Sequence, residues 1–74
     1  MKLKLCVRCS HDNNDPKALL YSIANEFQIE DAIYREHLGE IYDIFLLKIN
    51  GEAEKVEYYL VHLQNSGFDI VFTL

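Results

Sequence analysis

The chain has 74 residues, half of them apolar and about a quarter charged, with twelve acidic side chains against seven basic ones and a net charge of −5. That length supports a single hydrophobic core, because a domain of this size buries only about 60% of the surface its unfolded chain exposes, and the composition is that of a folding chain rather than a disordered one. The charge has the wrong sign for a protein that gains affinity by neutralising phosphates, so no nucleic acid is expected. The longest apolar runs, Ile44–Leu47 and Tyr58–Val61, are far short of the roughly 20 residues that span a bilayer, so no membrane insertion is expected either.

From Lys2 to Cys9 the chain alternates strictly, with Leu3, Leu5, Val7 and Cys9 on one side and Lys2, Lys4, Cys6 and Arg8 on the other, which predicts a strand with one buried face. Because these apolar residues alternate with cations instead of forming a continuous run, the N-terminus does not read as a signal peptide, and a cytoplasmic location is the expectation. The all-polar stretch Ser10-His11-Asp12-Asn13-Asn14-Asp15 is a loop that ends in a helix start, with Asp15 as the cap and Pro16 at the first helical position. Leu19, Leu20, Ile23, Ala24 and Phe27 then recur at helical spacing and form one apolar stripe.

A weaker alternation from Ile29 to Leu38 predicts a second strand, with Ile33 on one side and Ala32, Tyr34 and Leu38 on the other; Gly39-Glu40 turns the chain. The third strand, Ile41 to Ile49, is apolar on both faces, as an inner strand is: Ile41, Asp43, Phe45, Leu47 and Ile49 share one face, and Tyr42, Ile44, Leu46 and Lys48 the other. Asn50-Gly51 suggests a hairpin, but Ala53, Val56, Leu60 and Leu63, with Tyr59 beside them, follow at helical spacing. Glu52 and Glu54 in the first turn and Gly67 at the C-cap complete a second helix. The last strand sets Phe68, Ile70, Phe72 and Leu74 against Asp69, Val71 and Thr73.

Strand, helix, strand, strand, helix, strand is the order of an α+β, ferredoxin-like βαββαβ sandwich. In that fold right-handed crossovers place both helices on one face of a four-stranded antiparallel sheet, with the first and third strands central. Residues 1–74 then make one domain. Two helices cover one face only, so Tyr34, Tyr42, Ile44 and Leu46, with Cys6 and Val71, are left facing away from them, and contiguous apolar surface of that kind marks an interaction site. A homodimer through this open face is expected; the alternative is a monomer, in which Lys4, Arg8, Lys48 and Thr73 break the patch up enough for it to stay exposed.

Cys6-Val7-Arg8-Cys9-Ser10-His11 has C-x-x-C followed by an imidazole, a ligand set for zinc or copper. Cys6 and Cys9 lie three apart on a strand, however, and so point to opposite faces, and a metal carrier through Cys6, Cys9 and His11 ranks behind the other readings. A bridge between them would staple little chain. His37 and His62 have no helical partner at i, i+4. Asp12 and Asp15 lack the spaced acids and glycine of a calcium loop. The first loop has neither the glycines nor the arginine with which acylphosphatases of this topology hold phosphate, and no catalytic residue or cofactor is expected.

Ile23-Ala24-Asn25-Glu26-Phe27, Asn50-Gly51-Glu52 and Tyr59-Leu60-Val61-His62-Leu63-Gln64-Asn65-Ser66-Gly67-Phe68 resemble the NIL domain, and more distantly ACT domains, over most of the chain. The resemblance implies a non-enzymatic regulatory module that dimerises and binds a small ligand such as an amino acid, near the first loop and the second strand. The Asn-Ile-Leu triplet of NIL domains reads Ala32-Ile33-Tyr34 here, and Pro16-Lys17-Ala18 stands where ACT domains place a glycine, so no ligand residue carries over. The alternative is a protein–protein interaction or assembly domain.

Overall fold

The computed structural model describes residues 1–74. Its elements are β1 (Lys2–Ser10), α1 (Pro16–Glu26), β2 (Glu30–Leu38), β3 (Tyr42–Asn50), α2 (Ala53–Asn65) and β4 (Asp69–Thr73). They form one antiparallel sheet of order β2-β3-β1-β4, with β1 and β3 in the centre, and the fold is ferredoxin-like. No helix is long and apolar enough to cross a membrane.

Local chemistry explains the boundaries. Asp15 adopts a left-handed conformation (φ 47°) and its carboxylate accepts from the Ala18 amide at 3.3 Å, satisfying one of the free donors of α1, while Pro16 begins the helix. Helix α2 is followed by Ser66 as its C-cap and by Gly67 at φ 95°, which lets the Phe68 amide reach back to the Leu63 carbonyl at 3.0 Å. The Met1 ammonium donates to the Gly51 carbonyl at 2.7 Å and the Gly51 amide to the Met1 carbonyl at 3.0 Å, closing the β1 end of the sheet.

The core lies between the helices and one face of the sheet. Leu5, Val7, Cys9, Phe45, Leu47 and Ile49 come from the central strands, and Leu20, Ile23, Ala24, Val56, Tyr59 and Leu63 from the helices; Ile29 and Phe68 seal the edges. Truncating a fully buried aromatic such as Phe45 to alanine costs on the order of 3–5 kcal/mol in sites of this kind, a large share of the stability of so small a domain.

Several side chains lie where the alternation did not put them. In α2 the core residues are Val56, Tyr59 and Leu63, whereas Ala53 is exposed and Leu60 only half-buried. Ile41 precedes β3 and is exposed in the turn instead of sharing the buried face. Two bulges account for the rest. Ile33 pairs with Leu47 and Arg35 with Leu46, so Tyr34 is the extra residue, and beyond it Leu38 lies opposite Asp43 on the helix side. In β4, Cys6 pairs with Phe72 and Val7 with Ile70, so Val71 is extra. Phe72 is thereby turned to the open face, and Thr73 to the helix side opposite Leu5. One inserted residue flips every later side chain, because the side-chain period of a strand is two.

Candidate functional site

The open face is built from cross-strand rows. Cys6 lies between Leu46 and Phe72, Arg8 between Ile44 and Asp69, and Lys4 beside Lys48, which faces Ala32. Ile44 and Leu46 are half-buried by these neighbours, while Tyr34, Tyr42, Val71 and Phe72 remain exposed. Cys6, expected to face outward, does so, but the side chains around it leave it only 4% exposed.

Both tyrosines carry a cation on the ring: the Arg8 guanidinium stands 4.6 Å from the Tyr42 centroid and the Lys48 ammonium 4.9 Å from that of Tyr34. Arg8 also approaches Asp69 at 3.5 Å. Thus the four residues expected at an interface, Tyr34, Tyr42, Ile44 and Leu46, do share one surface. Sequence reasoning placed Lys4, Arg8 and Lys48 on this face but missed Phe72, hidden behind the Val71 bulge, and Arg35, brought there by the Tyr34 bulge. Lys2, Lys4, Arg8, Arg35 and Lys48, five of the seven basic residues, belong to it by register, with Glu30 and Asp69 as its only acids. The signal was legible in the outward positions of β1, which read Lys2, Lys4, Cys6, Arg8.

The thiols separate as their spacing requires, with Cys9 inside the core and Cys6 on the other face. Burial pushes both above the ordinary thiol value, an effect that the Asp43 carboxylate strengthens at Cys9 and Arg8 opposes at Cys6. Each is held in the protonated form, the weaker nucleophile and metal ligand. Asp43, 4% exposed, is the one buried charged residue, and His11 Nδ1 meets its Oδ1 at 3.0 Å. The structure therefore brings His11 to Asp43 across 32 residues of chain and not to Cys6. Nowhere do three His, Cys, Asp or Glu side chains converge with the geometry of a metal site. His37 lies opposite Ile44 at the sheet edge, and His62 packs edge-on against Phe27 with Glu26 at 4.0 Å.

A groove of about 700 Å³ occupies the β4-terminal end of the open face. It is lined by consecutive residues of three strands, Lys2–Lys4, Glu30–Ala32 and Lys48–Asn50, with Leu74 at its side, and no helix residue contributes. The first loop, where a ligand was expected, lies at the opposite end of β1; of that expectation only the second strand takes part. No family model and no curated protein matches the chain.

Proposed function

We propose that this chain is a non-enzymatic regulatory module that pairs with a second copy through the open face of its sheet and takes up a small ligand there, an amino acid being the class to try first. The observation that carries the reading is the composition of that face: an aliphatic centre of Ile44 and Leu46 over Cys6, with Tyr34, Tyr42 and Phe72 around it and Arg8 stacked on one ring. Tyrosine, phenylalanine and arginine are the residues enriched at interface centres. The molecule's two larger extents, 35 and 21 Å, give the face an area on the order of the 800 Å² per partner of a standard interface. The resemblance to NIL and ACT domains points the same way.

Sedimentation equilibrium at high micromolar concentration tests the pairing; a dimer is expected, and a monomer refutes it. A thermal-shift screen of the twenty amino acids tests the ligand class, and no shift with any of them counts against it.

The charge of the face favours a second reading, in which the surface docks on a different protein. Symmetric pairing brings like-charged side chains of two copies together, whereas an acidic partner meets them with opposite sign. Added salt strengthens the first association and weakens the second.

A further inference from the structure

The lysines at the groove carry an unresolved electrostatic conflict. Lys4 and Lys48 lie directly opposite each other on the two central strands. The Lys4 amide and carbonyl both bond to Leu74 on the other side, at 3.3 and 2.7 Å, so Lys4 and Lys48 form a pair that shares no backbone hydrogen bond. In such pairs the Cα atoms come to about 4.5 Å and the side chains are at their closest, and like charges facing each other there destabilise the sheet. Lys2 lies two residues along on the same face. None of the four ion pairs in the chain involves Lys2, Lys4 or Lys48, and the row from Lys4 through Lys48 to Ala32 contains no acid.

Lys2 and Lys4, which have no ion-pair partner, and Lys48, stacked on the Tyr34 ring, therefore edge a groove in which Ala32 and Leu74 are the apolar side chains of the open face and Glu30 the acid, in a protein whose net charge is −5.

We infer that this groove is a binding site for a small organic anion, with its carboxylate held between Lys4 and Lys48 and its apolar body along Leu74, the next side chain in the same cross-strand row. The inference rests on the reading of the open face as a binding surface, but not on the pairing of two copies. A ligand carboxylate supplies the negative charge that the Lys4–Lys48 row lacks, and the exposed Leu74 side chain gives affinity to an apolar tail that a bare anion does not have.

The probes are hexanoate and acetate, titrated into the 15N-labelled protein. Hexanoate shifts the amides of Lys4, Lys48, Ala32 and Leu74 and binds at least tenfold tighter than acetate. Lys4→Glu weakens hexanoate binding at least tenfold and at the same time raises Tm, because it converts the like-charge pair into an ion pair, so the loss cannot be ascribed to unfolding. Lys48→Arg retains binding, and Lys17→Glu on α1, the same change in net charge elsewhere, leaves it unaltered. Equal affinity for acetate, shifts centred elsewhere, no shift at tens of millimolar, or unchanged binding by Lys4→Glu overturns the site. Sedimentation with and without hexanoate separates the two readings: a monomer that binds hexanoate at Lys4 and Lys48 keeps the site and removes the dimer, and a dimer without these shifts does the reverse.

Discussion

Tyr59 and Asp31 show how a single buried polar atom enters the stability of a small domain. The Tyr59 ring fills the centre of the core, yet its hydroxyl has no hydrogen-bond partner, and one Asp31 carboxylate oxygen is likewise buried and unpaired. Burial raises the pKa of both groups, and the Asp31 charge raises that of Tyr59 further. An unmade buried hydrogen bond costs about 1–3 kcal/mol, so Tyr59→Phe, which keeps the ring and removes the orphan, leaves stability unchanged or increases it by up to about 1 kcal/mol. Urea denaturation checks this, and a clear loss would mean that the hydroxyl is bonded after all.

For Asp31 the folded pKa lies above its ordinary 3.8, so between these values the folded state holds the proton more tightly than the unfolded one. Its contribution to stability is greatest at low pH and falls as pH rises through the folded value. Asp31→Asn removes that loss. The variant's advantage over the parent chain should be larger at neutral pH than near pH 3.8, and the opposite trend in paired urea titrations would refute this assignment.

At the scale of elements, the two helices and the central strands follow from patterning strong enough to survive any tertiary detail. Leu20, Ile23 and Ala24 of α1 are buried as their spacing demands, and Asp15, Pro16 and Gly67 serve as the punctuation they resemble. Gly67 has open space around its Cα, so any side chain fits there; the obstacle is φ 95°. Gly67→Ala should cost about 1 kcal/mol through the backbone alone, with a normal fold by circular dichroism. A neutral substitution would show that the C-cap relaxes to another geometry.

The edge strands were less legible. Residues 30–38 and 69–73 each carry a bulge, and nothing in their composition marks Tyr34 or Val71 as the extra residue. A bulge is set by how the strand pairs with its neighbour, not by local preference. The exchange of Phe72 for Thr73 on the open face followed from that alone.

At the scale of the whole molecule, one side is acidic and the other basic, with the apolar surface in the middle of the basic side. Leu46 lies at that centre, half-buried between Cys6 and Arg35 and remote from the core. Leu46→Glu should therefore leave the unfolding midpoint within about 1 kcal/mol of the parent chain, as substitutions outside the core usually do, while weakening self-association at least tenfold in sedimentation. An unchanged association constant would place the interface elsewhere on the molecule, and the exposed Tyr58 and Val61 on α2 would be the next surface to test.

Amphipathic spacing, caps and turn residues in the sequence alone determined the order of the six elements and the separation of Cys6 from Cys9, because each rests on the period of a helix or strand, and the centrality of β1 and β3 followed from that order through the handedness of crossovers. The tertiary structure alone decided that His11 meets Asp43, that Phe72 joins Tyr34, Tyr42, Ile44 and Leu46, and that Lys4 stands against Lys48. Those facts depend on register between strands far apart in the chain, and no periodicity within a single strand encodes the offset of its neighbour.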